Sequence, residues 1–98
     1  MSKIRESARG QQCQIRLVGI CNHNPDTVVL AHYRMAGTCG IGMKPNDIQA
    51  AYACSQCHDA SDGRLKTDLS PDEIRTAFVE GVMRTQQILI KQGLLKVR

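Results

Sequence analysis

The residues best suited to chemistry lie together in the stretch AYACSQCHDASDGR, residues 51–64. Within it, Cys54 and Cys57 form a C-x2-C pair, whose short spacing lets two thiolates reach one Zn²⁺ from a tight turn. Upstream, Cys13 and Cys21 could supply two more ligands, although their C-x7-C spacing is wider than that of most zinc-binding pairs. Four thiolates would complete a tetrahedral shell, so the sequence predicts a structural zinc site.

The other cysteine and the histidines allow several interpretations. A C-x-x-C pair can be a redox motif, but no thioredoxin-like βαβ pattern surrounds this one. Cys39 lies among loop glycines and is predicted not to bind the metal. His58 directly follows Cys57, so a zinc ion there would fix its backbone; it could be catalytic, bind a second metal or replace a missing cysteine. His23 is expected to be a solvated loop residue, and His32, at the end of an apolar strand, reads on its own as a packing residue.

Short elements must position these side chains. The β-branched, apolar stretch TVVLAHYR is the best strand candidate, and CQIRLVGIC is predicted to form a second short strand and a turn. NHNPDT has the composition of a turn, and MAGTCGIGMKPND that of a loop. DIQAAYA could be a short strand or a helical turn. A helix is expected after CSQCH through about Leu65, which would place His58 and Asp62 on one face.

The last segment carries the clearest helix signal. The residues SPDE, from Ser70 to Glu73, form a capping box with proline at the first helical position. An apolar stripe follows and extends the helix to about Gln92, before Gly93. The stripe consists of Ile74, Phe78, Val82, Ile88 and Leu89.

Length and composition predict one α+β domain over residues 1–98. A chain of this size with 3% aromatic residues has a thin core, and small scaffolds of this kind often need a metal or disulfides. The polar start and the lack of a long apolar run predict a cytoplasmic protein without a membrane span, where clustered cysteines favour metal over disulfides. We divide the chain into a loosely ordered basic arm (1–12), a zinc-bound core (13–66) and a C-terminal helix (70–92).

The net charge of +4 is distributed unevenly. Residues 1–16 and 64–98 are basic, whereas residues 17–63 hold only two cations against four aspartates. Basic flanks around a cation site would suit a polyanion, although such charges can also serve only to solvate a small surface. The candidate phosphate contacts are Lys3, Arg5, Arg9, Arg34 and Arg64.

Taken in order, LAHYR, ND and CSQCHDASDGR resemble the HNH (ββα-metal, His-Me finger) endonucleases. That family has a histidine on a strand, an intervening asparagine and a C-x-x-C-H segment opening a helix. Over residues 9–66 the chain also resembles the small lambdoid-prophage nucleases typified by YbcO, through LAHYRMAGTCGIGMKPNDIQAAYACSQCHDASDGR. The resemblance implies a small ββα-metal fold with a structural zinc and an additional C-terminal helix.

The resemblance also implies roles for individual residues. His32 matches the general base that activates a water, Asn46 the middle residue that orients it, and His58 a ligand of the catalytic metal. Asp62 lies four residues after His58, where some members place a second ligand, and a carboxylate there suits Mg²⁺ or Mn²⁺. A neutral imidazole can accept the proton of a water at physiological pH, and arginines can hold the phosphate.

Two departures from the family pattern leave alternatives open. Many HNH members carry a metal ligand just before the base, where this chain has Ala31, so His32 could itself be the ligand. The spacing from Asn46 to Cys54 is long, so Asp47 could take the role of Asn46. We therefore expect a metal-dependent DNA endonuclease, with a non-catalytic, zinc-stabilised DNA-binding or adaptor module as the alternative. The sequence leaves the oligomeric state open, a homodimer included.

Overall fold

A two-stranded antiparallel sheet lies at the centre of the molecule. The computed structural model describes residues 3–35, 37, 40 and 45–97. Helix α1 spans Lys3–Ser7, strand β1 Val29–His32, strand β2 Ala50–Ala53, helix α2 Ser55–Ser61 and helix α3 Pro71–Lys91. A single 3₁₀ turn over Pro25–Thr27 precedes β1, in the stretch predicted to be a turn. The α+β class predicted from the sequence is confirmed.

The two strands pair in a register that runs from Val29 opposite Ala53 to His32 opposite Ala50. Strand β1 was predicted, whereas the sequence left β2 open between a strand and a helical turn. Every residue of β2 is buried. Three of its four residues are alanines, which allow α3 to pack closely over the strand, and Thr85 of α3 accepts a hydrogen bond from the backbone N–H of Tyr52 at 3.0 Å.

Helix α3 begins and ends where its local signals predict. The hydroxyl of Ser70 accepts a hydrogen bond from the N–H of Glu73, and the Glu73 carboxylate accepts one from the N–H of Ser70. Of the predicted apolar stripe, Phe78 and Leu89 are buried, and the other members are partly buried against the core. Gly81 lies on the same buried face, where the helix approaches the backbone of residue 14.

The N-terminal third differs from the sequence prediction in two places. Residues 1–12 were expected to be loosely ordered, but Lys3–Ser7 is helical, and a hydrogen bond of 2.7 Å between Ser7 Oγ and the hydroxyl of buried Tyr52 attaches this helix to the core. The predicted strand within CQIRLVGIC is also absent, since the described residues 13–21 form no strand. Arg16 has φ +56°, which breaks the extended conformation. The alternating apolar residues Ile15 and Leu17 are instead buried by an irregular segment.

Helix α2 directly follows β2 and is shorter than predicted. It ends at Ser61 rather than near Leu65, because Gly63 has φ +80° and turns the chain. The N–H groups of Arg64 and Leu65 then both donate to the carbonyl of Asp59, at 2.8 and 3.2 Å. No helix in the described part of the chain is long and apolar enough to cross a membrane.

Candidate functional site

Four cysteine sulfurs meet beside the start of α2. The Sγ atoms of Cys13, Cys21, Cys54 and Cys57 all lie within 4.8 Å of one another, and three of these residues are buried. Cys54 and Cys21 are 3.8 Å apart, sulfur to sulfur. A tetrahedral zinc–thiolate site, with zinc–sulfur bonds of about 2.3 Å, has sulfurs separated by roughly 3.8 Å. The four cysteines could therefore hold a metal ion, as the sequence indicated; Cys39 lies outside the described residues.

These four sulfurs come from separate segments of the chain. Cys54 caps α2, accepting the N–H of Cys57 on its sulfur at 3.4 Å, so the C-x2-C pair occupies the first turn of the helix. The turn after Cys21 is attached to the same helix end, because Thr27 Oγ1 accepts the N–H of Ser55 at 3.2 Å. The neighbouring His23 is exposed, with its ring nitrogen 3.7 Å from the Cys21 sulfur.

The thiols affect one another's titration. A hydrogen bond from the thiol of Cys57 lowers the pKa of Cys13 to about 4, although burial opposes the shift. The same bond and burial together raise the pKa of Cys57. Burial raises the pKa of Cys21 to about 11. The cluster thus favours a thiolate at Cys13. If the other three cysteines also lose their protons, a bound dication would offset the repulsion between the four negative charges.

A histidine and an aspartate meet at the open end of the sheet. His32, the last residue of β1, has its Nε2 atom 2.8 Å from Asp47 Oδ1. Asp47 lies in a turn closed by a bond from the N–H of Gln49 to the carbonyl of Asn46, and the Asn46 residue is exposed. A carboxylate on one ring nitrogen orients an imidazole and stabilises its protonated form.

The turn that carries Asp47 is attached on two sides. Gln49 Nε2 donates to the carbonyl of Tyr33 at 2.6 Å, next to the end of β1. Gln86 of α3 donates its Nε2 hydrogen to the carbonyl of Ile48 at 2.7 Å. The position of the carboxylate is therefore fixed relative to both the sheet and α3.

A second histidine–aspartate pair lies at the end of α2. His58 Nε2 is 3.3 Å from Asp62 Oδ2, so the helical spacing places both on one face, as expected. Arg64 also contacts Asp62, at 3.1 Å, and contacts Asp59 at 3.0 Å. Asp62 lies between an imidazole and a guanidinium, and all of these side chains are at least partly exposed.

One cleft connects the two histidines. It has a volume of about 710 Å³ and is lined by both His32 and His58, together with Asp62. Arg5 of α1 and Arg34 also line it, whereas Lys3 and Arg9 are exposed elsewhere on the N-terminal segment. An arrangement of imidazoles, a carboxylate and arginines in one concave site can bind a phosphate group and move a proton beside it.

Sequence reasoning missed several residues that line this cleft, among them Tyr33, Arg75 and Phe78. Phe78 was assigned only to the apolar stripe of α3, and its contact with Tyr33 (ring centroids 5.2 Å apart) joins residues distant in sequence. The sequence did offer one indication of a role for Tyr33 and Phe78, because the chain has only three aromatic residues and these are two of them.

Comparisons with known proteins agree with one another. The family model described as "Putative nuclease YbcO" matches residues 2–94. The chain is 46% identical over 96 residues to "Putative nuclease YbcO" of Escherichia coli (strain K12), which covers 98% of this chain and 99% of the relative. The same figures hold for "Putative nuclease ybcO" of Enterobacteria phage 82.

A solved structure is also similar to this fold. It is titled "Structure of a putative bacteriophage protein from Escherichia coli str. K-12 substr. MG1655" and superposes with a TM-score of 0.78 at 41% sequence identity. The match covers 93% of this chain and 100% of that one. The likeness therefore extends over nearly the whole length of both chains.

Proposed function

Because the chain belongs to the family described as "Putative nuclease YbcO", we propose that it is a metal-dependent DNA endonuclease of the HNH type. The relatives' names support a nuclease in general; the type and the substrate are our inference. The observation that carries the proposal is that His32, held by Asp47, and His58, paired with Asp62, line one cleft. The chain order of β1, β2 and α2 also agrees with a ββα-metal unit.

His32 is proposed as the general base that takes the proton of the attacking water. Its contact with Asp47 at 2.8 Å supports Asp47, rather than the exposed Asn46, as the residue that orients the ring. The proton moves to the imidazole, and the Asp47 carboxylate stabilises the resulting imidazolium. Arg5 and Arg34 line the same cleft and would bind the phosphate oxygens.

His58 and Asp62 are the proposed holders of a catalytic Mg²⁺ or Mn²⁺. An imidazole nitrogen and a carboxylate oxygen, close together and open to solvent, are a donor set that such an ion accepts alongside waters. The bound ion would supply Lewis acidity and stabilise the leaving oxygen. Zn²⁺ is the proposed occupant of the separate four-cysteine cluster, where it would be structural.

The test is His32→Ala in a plasmid-cleavage assay with Mg²⁺ or Mn²⁺. Loss of a general base should lower the cleavage rate by about 10²–10⁴-fold, while zinc content and DNA affinity stay near wild type. His23→Ala is the matched control, because His23 is exposed and is not among the described residues that line the cleft. Full activity of His32→Ala would disprove the assigned base.

His58→Ala forms the second arm of this test. It should weaken the dependence on Mg²⁺ or Mn²⁺ and leave zinc bound, because the four cysteines already complete a tetrahedral shell. Release of zinc by His58→Ala would instead assign His58 to the structural site.

A non-catalytic DNA-binding or adaptor module is the second candidate. The observation in its favour is Ala31, which is 1% exposed and offers no ligand where many HNH members have one. Wild-type protein that binds DNA but cuts no plasmid, linear, single-stranded or branched form with either metal would establish this alternative.

A further inference from the structure

One wall of the cleft is apolar and aromatic. Tyr33 lies directly after the proposed base, and its ring packs against Phe78 with centroids 5.2 Å apart and planes tilted by 46°. The apolar lining of this wall comes from β1 and the residue after it, from the start of α3 and from the segment before β2: Leu30, Tyr33, Pro45, Ile74 and Phe78. A phosphodiester backbone is polar and charged, so phosphate binding alone leaves this wall unexplained.

The same cleft is rimmed by cations. Arg5, Arg34 and Arg75 are among its lining residues. Arg34 is exposed, and Arg75 pairs at 2.9 Å with Asp72, whose side chain is 89% exposed. Exposed pairs of this kind are weak and can exchange partners. A volume of about 710 Å³ falls within the roughly 300–1,000 Å³ of clefts that enclose small organic ligands. The cleft is therefore large enough for a nucleotide, and its arginines carry the positive charge that would bind the phosphates.

We propose that this wall binds an unpaired base of the substrate strand, against Tyr33 and Ile74, so that the preferred substrate is single-stranded or locally unpaired DNA. The proposal rests on the proposed nuclease function and deepens it by naming the substrate class. The faces of bases in an intact duplex are covered by stacking, and a protein reaches only their edges in the grooves. Aromatic platforms beside a positively charged groove are how proteins bind unpaired strands without reading sequence.

Binding can be measured separately from cleavage. The probes are a fluorescent oligothymidylate, an abasic strand of the same length and charge, and a duplex of the same length. The His32→Ala protein without added Mg²⁺ or Mn²⁺ keeps them intact. Because base stacking on aromatic residues contributes roughly 1–3 kcal/mol, the abasic strand should bind about 5- to 150-fold more weakly than oligothymidylate. The duplex should also bind more weakly.

Substitutions in the apolar wall test whether it causes the difference in affinity between oligothymidylate and the abasic strand. Tyr33→Ala and Ile74→Ala should each remove most of the difference between oligothymidylate and the abasic strand, and Tyr33→Phe should retain it. Met83→Ala is the matched control, because Met83 is an apolar residue of α3 that is 61% exposed and is not among the described residues lining the cleft. Thermal melts of each variant identify any that fail to fold, and Tyr33→Leu then replaces Tyr33→Ala.

The outcomes separate this proposal from the proposed function. Equal affinity for oligothymidylate and the abasic strand, or a preference that survives Tyr33→Ala and Ile74→Ala in folded protein, would overturn the base-binding wall even if the protein cuts DNA. If the protein cuts no DNA but its preference for oligothymidylate depends on the wall, the base-binding proposal stands and only the proposed nuclease function is disproved.

Discussion

At the scale of single residues, the contact between His32 and Asp47 is the most specific feature of the cleft. The sequence could place His32 at the end of an apolar strand, and it raised both Asn46 and Asp47 as the middle residue. Choosing between them requires the geometry of the turn at residues 46–49, because the side chains of two adjacent residues point in different directions and only one of them faces β1. The direction of these side chains depends on the hydrogen bonds that Gln49 donates to the Tyr33 carbonyl and Gln86 donates to the Ile48 carbonyl. No sequence pattern indicates these two bonds.

Asp47→Asn tests whether the charge of the carboxylate matters. The amide keeps the size of the side chain but cannot stabilise an imidazolium, so the cleavage rate should fall while DNA affinity is retained. A hydrogen bond to a charged group contributes about 1.5–3 kcal/mol, which corresponds to a rate roughly 10- to 150-fold lower. Asp68→Asn, at an exposed position outside the cleft lining, is the control. Unchanged kcat in Asp47→Asn would show that the contact is only structural.

At the scale of elements, the predictions succeeded where the signal is local. Helix α3 could be predicted because its capping box and apolar stripe lie within its own sequence. The segment around Ile15 and Leu17 was assigned as a strand because alternating apolar residues are typical of one. In the structure both residues are buried without being part of a strand. The N–H of Gln14 donates to the carbonyl of Tyr52 at 2.7 Å, but residues 13–21 form no strand with the described part of the chain.

The packing of α3 against this irregular segment can be tested at Gly81. A methyl group there would lie 3.0 Å from the carbonyl oxygen of Gln14 and 3.1 Å from Ile15 Cγ1. The Gln14 backbone cannot easily move, because its carbonyl also accepts a 2.7 Å bond from Arg84. Overpacking costs about 1–3 kcal/mol, and the gain in helix propensity recovers up to about 1 kcal/mol.

Gly81→Ala should therefore lower the free energy of unfolding by about 1–2 kcal/mol in urea titrations, opposite to its usual effect inside a helix. Thr76→Ala is the matched control on an exposed position of α3, where the same new residue should leave stability equal or higher. A stability gain in Gly81→Ala would mean that α3 can move away from residue 14.

At the scale of the whole molecule, the four-cysteine cluster brings together parts of the chain that are distant in sequence. It connects the N-terminal segment to the first turn of α2, and we predict one tightly bound zinc ion per chain. Removing zinc with a chelator should abolish the cooperative thermal melt, because metal binding in small domains is coupled to folding. Acidification should also release the ion as the thiolates become protonated.

Cysteine variants locate the ion. Cys54→Ser or Cys57→Ser should lower both zinc content, by elemental analysis, and melting temperature. Cys39→Ser should change neither, because Cys39 is predicted not to bind the metal. Soluble, folded wild-type protein without zinc would contradict the prediction.

The order of the elements along the chain has a consequence for synthesis on the ribosome, because α3 follows β1, β2 and α2. Residues 50–53 of β2 are buried beneath this helix, and Ile74 and Phe78 form part of the cleft wall. A nascent chain that has emerged only as far as α2 has all four cysteines, His32 and His58, but no cover for the sheet and no complete cleft. The cleft is therefore complete only when α3 has also left the exit tunnel.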